Sequence, residues 1–215
     1  MRNRKKAYTQ FELSNNPYII NDATNNIGNW SKIFNNSNPI HIEIGAGKCD
    51  FISGMCIQQP NINYIGIEKE KEIIAMGART LQNRNVLNGY LILAKAENLL
   101  QYFNEGEISK IHLNFSDPWP KNRTAKRRLT YSSFLEIYKK LLPYSGLIEL
   151  KTDNEPFFNF SLNELKIFGC NIVYLTRNLH LDSFHTSGKN IVTEYEAKFS
   201  SEGKPIFRLI AEFNF

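Results

Sequence analysis

The most regular feature of the sequence is a series of short apolar runs separated by amphipathic segments. Runs of this length, bounded by Gly, Asn or Asp, are typical of buried β-strands. Two late runs, 171–179 and 204–215, predict closing strands that are antiparallel neighbours. Five earlier runs predict successive strands at 39–45, 63–68, 90–96, 110–117 and 146–153.

The segments between the predicted strands follow the helical period. Ile74, Ala78 and Leu81 are spaced to share one face of a helix. A second apolar face, ended by Pro143, comprises Phe134, Leu135, Tyr138, Leu141 and Leu142. This alternation predicts an α/β fold, with a doubly wound, mostly parallel seven-stranded sheet and helices on both faces.

The domain organisation follows from length and composition. The 215 residues are 42% apolar and 22% charged, as in one globular domain with a real core. Residues 1–30 are Asn-rich and weakly periodic, so we expect a basic, flexible N-terminal arm there. Residues 31–215 are expected to form a single domain.

Positive charge is concentrated in two short segments. Residues 1–6 carry four basic side chains and residues 121–128 carry five, and neither segment contains an acid. These two segments hold nine of the 26 basic residues, so the rest of the chain has 17 basic and 21 acidic residues. Basic charge clustered on a neutral-to-acidic body indicates a polyanion-binding surface. A solvated basic face is the alternative for either run alone.

The cysteines and the apolar runs bear on the compartment. Cys49, Cys56 and Cys170 have no paired metal-ligand spacing, so we expect reduced thiols and no metal. Residues 7–22 are too polar for a signal-peptide core, and no apolar run approaches membrane-spanning length. The sequence therefore predicts a cytoplasmic protein that makes no contact with a membrane.

The first predicted strand ends in a glycine turn. Gly45 and Gly47 allow the backbone to turn tightly and to approach a ligand. Asp50 stands where a dinucleotide fingerprint needs a third glycine, and the acid Glu43 does not suit a phosphate site. An acid there suits a cationic ligand, such as an amine or a sulfonium. A purely structural glycine turn remains the alternative.

The second predicted strand ends in Glu68, where an acid is placed to accept both hydroxyls of a ribose. A solvated glutamate at a helix start is an equal alternative for Glu68 alone. Together with Glu43 and the glycine turn, Glu68 indicates a nucleoside site without a pyrophosphate. S-adenosylmethionine fits that description.

Three further segments hold candidate chemistry. Asp117 ends the fourth strand and is followed by Pro118 and Pro120, which make the turn rigid. Asp153 follows the fifth strand and could equally cap the helix that begins near Pro156. The segment 193–196 matches a capping box, but it also alternates as a strand would, and the sequence leaves both open.

Several of these motifs together resemble the bacterial tRNA (guanine-N7-)-methyltransferase family. They are HIEIGAGKCDFISGM (41–55), YIGIE (64–68), LNFSDPWPKNRTAKRRLTY (113–131), LIELKTDN (147–154) and IVTEYEAKFS (191–200). The match is in order and spans nearly the whole chain. It departs from the family at Cys49, where a glycine is usual, and at Lys95, where an aspartate is usual.

The resemblance implies a class I methyltransferase fold, which is Rossmann-like, and methylation of guanine 46 in the tRNA variable loop. S-adenosylmethionine would be held by Glu43, Gly45, Gly47, Glu68, Ala96 and Asp117. Substrate contacts are implied at Lys121, Asp153, Thr193, Glu194, Tyr195 and Glu196. RNA contacts are implied at Arg123, Thr124, Ala125, Lys126, Arg127 and Arg128. The enzyme would be a monomer or a homodimer.

The chemistry of such a reaction sets the expected roles. Guanine N7 carries a lone pair and no proton, so its attack on a methyl group needs no general base. Asp117 is the expected catalytic residue, through orientation and charge stabilisation. Asp153 can accept hydrogen bonds from the guanine N1–H and amino group, and Lys121 can hold a phosphate.

Rival functions make different use of the same residues. An exocyclic-amine methyltransferase uses a similar turn, but here the second proline follows Trp119 instead of preceding it. A non-catalytic RNA-binding module is suggested by Cys49 and Lys95, and opposed by the presence of Glu68 and Asp117. A nicotinamide dehydrogenase is disfavoured by Asp50.

Overall fold

The computed structural model describes residues 2–214, with side chains from Ala7 onward. The contribution of residues 1–6 to a polyanion-binding surface therefore lies outside the described side chains. The chain divides into two compact units, residues 1–104 and 105–215. The predicted boundary at residue 30 and the single domain from residue 31 stay predictions.

All seven predicted strands are present, each shorter than or equal to its apolar run. The first unit contains β1 (Ile40–Ile44), β2 (Asn63–Glu68) and β3 (Gly89–Leu93). The second contains β4 (Lys110–Asn114), β5 (Gly146–Thr152), β6 (Asn171–Thr176) and β7 (Phe207–Phe213). The strand order is β3-β2-β1-β4-β5-β7-β6, which confirms the predicted α/β fold.

Eight α-helices occur among residues 2–214, and six of them lie between consecutive strands. They are α1 (Arg2–Asn15), α2 (Trp30–Phe34), α3 (Asp50–Gln58), α4 (Lys71–Asn83), α5 (Ser132–Leu141), α6 (Glu155–Ile167), α7 (Ser183–Thr186) and α8 (Glu194–Ser201). Short 3₁₀ helices cover Ala23–Asn26, Ala96–Gln101, Asn122–Arg127 and Leu179–Leu181. No helix in this part of the chain combines the length and the apolar character needed to cross a membrane.

The first unit is a parallel β1-β2-β3 sheet covered by helices. The predicted face of α4 is buried, with Ile74, Ala78 and Leu81 fully inaccessible to solvent. The N-terminal segment also packs here, because buried Glu12 of α1 accepts a hydrogen bond from Arg79 Nε of α4 at 3.0 Å. The backbone of residues 18–20 then pairs with Leu91 of β3. A polar, weakly periodic sequence does not signal packing of this kind.

The second unit combines parallel and antiparallel pairing. β4 runs parallel to β5, and β7 lies antiparallel between β5 and β6, as predicted for the last two strands. The predicted apolar face of α5 is buried. Gly169, just after α6, has a φ of +94°, a backbone conformation that favours glycine.

The sheet of the second unit encloses a cluster of charged side chains. Glu149 on β5 is buried, and its carboxylate contacts Lys110 Nζ at 2.5 Å and Arg208 Nε at 2.6 Å. Burial alone would raise the pKa of Glu149, but the charges of Lys110 and Arg208 and the bond to His112 outweigh it and hold that pKa well below its ordinary value. Burial lowers the pKa of the neighbouring His112 to about 4. The interior of this unit therefore holds paired charges and a neutral histidine.

Candidate active site

A glycine loop, residues 45–49, follows β1 in the first unit. Gly45 and Gly47 have φ values of +81° and +57°, so both require the conformational freedom of glycine. The Gly45 and Ala46 amides donate to the carbonyl of Ile67 on β2 at 2.8 and 3.1 Å. A Cβ added at Gly45 would meet no atom within 4 Å, so the loop backbone borders open space that a ligand can fill.

Cys49 stands where the family that the sequence resembles usually has a glycine. Its φ is +65°, a left-handed conformation that is uncommon for a residue with a Cβ. Its side chain is buried, and burial, followed by the nearby Glu43 and Glu68 charges, raises the pKa of the thiol well above its ordinary value. Gly77 of α4 makes room for it, since a Cβ there would lie 2.5 Å from Cys49 Sγ. The lack of a side chain at Gly77 on the facing helix thus leaves space for the side chain of Cys49.

Glu68 joins the end of β2 to the glycine loop. Its Oε2 accepts from the Gly47 amide at 3.1 Å, and its Oε1 accepts from the Lys69 and Glu70 amides at 2.7 and 3.0 Å. The side chain is buried, so it is not the solvated glutamate of the alternative interpretation. A carboxylate offers about four acceptor positions, so one position on Oε2 is left for a ligand hydroxyl. Glu68 is placed to accept one ribose hydroxyl more readily than two.

The end of β3 lies beside the end of β2 in the same unit. The Ala94 amide donates to the Glu68 carbonyl at 2.9 Å. Buried Ala96 begins a 3₁₀ helix, while Lys95 and Glu97 are exposed. Five of the predicted cofactor residues therefore belong to one unit: Glu43, Gly45, Gly47, Glu68 and Ala96.

A proline turn, residues 115–120, follows β4 in the second unit. Phe115 and Trp119 have φ values of +51° and +41°, although neither is glycine. The Phe115 amide donates to the Lys151 carbonyl on β5 at 2.8 Å. Asp117 is exposed at the middle of this turn. Two left-handed residues so close together indicate a turn that the surrounding structure must hold.

The basic residues after the proline turn differ in their contacts: some are exposed, and others contact the turn itself. Lys121, Arg123 and Lys126 are exposed around the 3₁₀ helix Asn122–Arg127, as an RNA surface requires. Arg127 lies over the Trp119 ring, with Cζ 4.8 Å from the ring centroid. Arg128 is half-buried and donates from Nε to the Pro118 carbonyl at 3.0 Å and from Nη2 to the Trp119 carbonyl at 3.1 Å.

The remaining residues of the predicted RNA segment contribute to its local structure. The Thr124 amide and hydroxyl both donate to the Lys121 carbonyl, at 2.9 and 2.8 Å. The Ala125 carbonyl accepts from the Arg128 amide at 2.9 Å. RNA contacts at 123–128 stay a prediction, and within that segment the Thr124 hydroxyl and the Nε and Nη2 groups of Arg128 already donate within the protein.

The sequence left residues 191–199 open between a helix and a strand, and the structure has a helix there, α8, which begins at Glu194. Thr193 caps α8, because its hydroxyl accepts from the Glu196 amide at 3.1 Å. Glu194 and Tyr195 are exposed in the first turn. The Tyr195 ring stacks near Phe115 of the proline turn, with centroids 6.4 Å apart. The start of α8 therefore lies beside the proline turn.

Glu196 is the centre of a buried polar network. Its carboxylate is inaccessible and contacts Lys151 Nζ at 2.8 Å, His180 Nε2 at 3.0 Å and Asn190 Nδ2 at 2.5 Å. Burial alone would raise the pKa of Glu196, but the Lys151 charge and these hydrogen bonds outweigh it and lower that pKa. A direct substrate contact through this carboxylate stays a prediction, and its oxygens are already engaged within the protein.

The same network brings together two histidines that belong to none of the sequence motifs. Ligand atoms of His180, His185 and Glu196 lie within 4.8 Å of one another, close enough for a metal site. Lys151 contributes its ammonium to the same carboxylate, and a cation there opposes a second cation. The expectation of no metal stays a prediction.

Asp153 does not cap α6. That role belongs to Asn154, whose side chain accepts from the Phe157 amide at 2.9 Å. Asp153 is half-buried at the end of β5, and the alternative interpretation of it as a helix cap is wrong. The predicted catalytic residue Asp117 and the predicted substrate contacts Lys121, Asp153 and Thr193 to Glu196 all lie in the second unit.

Comparison with known proteins begins with a family model. Residues 37–209 match the family described as "Putative methyltransferase". Solved structures show the same fold: an antibiotic-related methyltransferase (TM-score 0.65, 19% identity, 86% of this chain and 94% of that one) and a 16S rRNA methyltransferase (TM-score 0.64, 13% identity, 87% and 94%). At these identities the likeness concerns the fold.

Curated relatives match over the full length. A tRNA (guanine-N(7)-)-methyltransferase of Oceanobacillus iheyensis is 45% identical over 99% of this chain and 99% of its own. The Streptococcus agalactiae protein of the same name is 42% identical over 99% and 100%, and that of Streptococcus thermophilus is 43% identical over 99% and 99%. With the glycine loop, Glu68 and the proline turn in place, the chain belongs to the tRNA (guanine-N(7)-)-methyltransferase family.

Proposed function

We propose that this protein transfers a methyl group from S-adenosylmethionine to N7 of guanine 46 in the tRNA variable loop. The observation that carries the proposal is the proline turn, which exposes Asp117 directly before an exposed cationic segment. The names of relatives at 42–45% identity support the same reaction. The proposal places the enzyme in the cytoplasm, as a monomer or homodimer, without a metal.

Donor binding is assigned to the first unit. The open backbone at Gly45 and Gly47 accommodates the ligand, and the remaining acceptor position on Glu68 takes a ribose hydroxyl. Glu43 adds negative charge beside the loop, which suits a sulfonium. The backbone around Ala96 contacts the adenine, since Lys95 offers no carboxylate for it. When bound, S-adenosylmethionine supplies a methyl group on a positively charged sulfur.

The transfer itself needs alignment more than proton chemistry. The N7 lone pair attacks the methyl carbon, the carbon–sulfur bond breaks and its electrons stay on sulfur, and the positive charge moves to the guanine ring. No proton leaves N7, so Asp117 does not act as a base. Its negative charge stabilises the sulfonium and then the product cation, and its fixed position aligns the methyl with N7.

Guanine recognition is assigned to the second unit. Asp153 accepts from the N1–H and amino group, and Lys121 holds a neighbouring phosphate. Thr193, Glu194 and Tyr195 at the start of α8 line the base, while Glu196 holds that helix start through Lys151. Arg123 and Lys126 hold the RNA backbone from the exposed face of the cationic segment.

The test uses tRNA with 7-deazaguanine at position 46 and a donor with a labelled methyl group. We expect the substrate to bind and to accept no methyl, because a C–H replaces the lone pair. Unmodified tRNA, analysed in parallel by nucleoside digestion, should yield 7-methylguanosine. Methyl transfer to the 7-deaza substrate, or a methyl on the exocyclic amine, would refute the N7 assignment.

The role of Asp117 is tested by two variants. Asp117→Asn keeps the shape and removes the charge, so it should lower turnover more than tRNA affinity, and Asp117→Ala should lower turnover further. The rate should not rise with pH near neutrality, as it would if a base were required. A fully active Asp117→Asn enzyme would remove Asp117 from the mechanism and leave the target atom unchanged.

A further inference from the structure

Arg128 differs from the other cations of the run because its guanidinium is turned inward. Nε and Nη2 donate to two successive backbone carbonyls, Pro118 at 3.0 Å and Trp119 at 3.1 Å. Its Cζ lies 4.2 Å from the centroid of the Phe160 ring on α6. A planar guanidinium can form two directed hydrogen bonds and stack at the same time, whereas a lysine ammonium cannot. These contacts occupy one edge and one face of the group.

The two carbonyls held by Arg128 flank the strained residue of the turn. Trp119 has a φ of +41°, and the Pro118 and Trp119 carbonyls lie on either side of its φ and ψ rotations. A non-glycine residue in the left-handed region is strained and persists only where the surroundings hold it. Pro118 and Pro120 restrict the neighbouring residues. Arg128 supplies the two directed bonds that hold Trp119 itself.

The anchor of this arrangement is α6, which follows Asp153. The Phe160 ring contacts both the Arg128 guanidinium and the Tyr131 ring. The planes of the Tyr131 and Phe160 rings are nearly parallel, 8° apart. Next to it, the Thr130 and Ser161 hydroxyls are hydrogen-bonded at 2.7 Å and fully buried. The segment after Arg128 is thereby fixed to α6. Through Arg128, the turn that bears Asp117 is fixed to the helix that follows Asp153.

We propose that Arg128 is a positioning residue that holds the proline turn, and with it Asp117, in the geometry that methyl transfer needs. This inference rests on the proposed role of Asp117. Arg128 then contributes to turnover and little to phosphate binding, although it stands in a run of five basic residues. Arg127 lies over the Trp119 ring, and Arg123 and Lys126 are left for the RNA backbone.

The principal test compares Arg128→Lys and Arg128→Met with a matched control, Arg177→Lys. Arg177 also lies over an α6 ring, with Cζ 5.5 Å from Phe158, and pairs with Glu155 in a half-exposed position. We expect both Arg128 variants to lose kcat by about 10- to 100-fold at saturating substrates, as a small misplacement of reacting groups does. The tRNA affinity of both Arg128 variants and its salt dependence should stay as in the parent. The control Arg177→Lys should change neither kcat nor tRNA binding.

The opposite result identifies a phosphate ligand. If Arg128→Lys keeps full kcat, while Arg128→Met reduces the salt slope of tRNA binding by about 0.7–0.9, the positioning role is refuted. Arg123→Gln provides the pattern for comparison, because loss of an RNA contact should weaken binding and flatten the salt slope.

A second readout does not depend on activity. The protein has two tryptophans, and Trp30 is fully buried, so acrylamide quenching of fluorescence reports mainly on Trp119. Quenching should rise in Arg128→Lys and Arg128→Met and stay at the parent level in Arg177→Lys. Unchanged quenching in folded Arg128 variants would show that the turn is held without Arg128. If Arg128→Met does not fold, Arg128→Lys and Phe160→Leu carry the same test, and unfolding of all three would overturn the proposal.

A double variant separates this inference from the role of Asp117. If Arg128 acts through Asp117, Arg128→Lys should cost much less in an Asp117→Asn background than in the parent, because neighbouring effects are not additive. Full additivity would refute the coupling. If Asp117→Asn is fully active while Arg128→Lys still raises quenching, the catalytic proposal fails and the positioning of the turn stands.

Discussion

Cys49 in the glycine loop and Trp119 in the proline turn both adopt positive φ values without being glycine, yet different groups hold them. The glycine loop is held by backbone bonds to β2 and by the Gly47 amide, which donates to Glu68. The proline turn is held by a guanidinium that stacks on a ring 32 positions further along the chain. In the first region backbone amides donate the hydrogen bonds that hold the loop, and in the second region the Arg128 guanidinium donates them.

The difference extends to the surroundings of each region. The second unit, which contains the proline turn, also contains the buried pairs Lys151–Glu196 and Arg208–Glu149. Buried ion pairs are costly to break because the remaining partner is left without compensation. Backbone-held loops are instead sensitive to the space around them, since a main-chain atom cannot move aside as a side chain can. The two regions should therefore fail under different substitutions.

The largest effect is expected from Glu196→Gln in the second unit. The change removes the charge opposite buried Lys151, and breaking a buried pair in this way costs about 3–5 kcal/mol of unfolding free energy. Urea unfolding measures the loss. The control is Glu202→Gln, whose pair with Lys204 is exposed just after α8 and should contribute nothing measurable. Equal stability of the two variants would contradict a stabilising role for buried charge beside the proline turn.

The next effect is the acid sensitivity of His112. Its folded pKa is about 4 against an ordinary 6.5, so between these values the unfolded chain binds more protons and stability falls as the pH is lowered. Between neutral pH and pH 5 this amounts to about 2 kcal/mol, and the low pKa values of Glu149 and Glu196 act only below that range. Unfolding measured across this range should show the slope, and His112→Asn should flatten it. A parent protein without the slope would show that His112 is protonated beside Glu149.

The smallest effect tests the glycine loop. In Gly77→Ala the new Cβ would lie 2.5 Å from Cys49 Sγ and 3.0 Å from the Gly47 carbonyl. Overpacking costs about 1–3 kcal/mol, and the better helix propensity of Ala returns about 1, so the net loss is about 1 kcal/mol. Binding of S-adenosylmethionine, measured by calorimetry, should also weaken. Adding Cys49→Gly should restore most of the lost stability and of the lost donor affinity. A double variant as unstable as Gly77→Ala would contradict the proposed clash between the new Cβ and Cys49 Sγ.

Much of the fold was predictable because its signals are local. Strands and helices follow from spacings of two to four residues, and all seven strands appear where the apolar runs predict them. The glycine loop and the position of Glu68 at the end of β2 also follow from local order. Gly77 had a signal of its own, since a glycine within a helical pattern suggests a close approach, but the sequence does not name the partner.

The tertiary structure decided which side chains face ligand and which face the protein. Five basic residues look equivalent in the sequence, and Arg128 is set apart only by Pro118, Trp119 and Phe160. Thr193 becomes a helix cap because Glu196 of the same turn reaches Lys151, which lies 45 positions away. Periodicity reports the local backbone. The pairing of a charge with a distant partner depends on how the elements pack, and no local pattern encodes it.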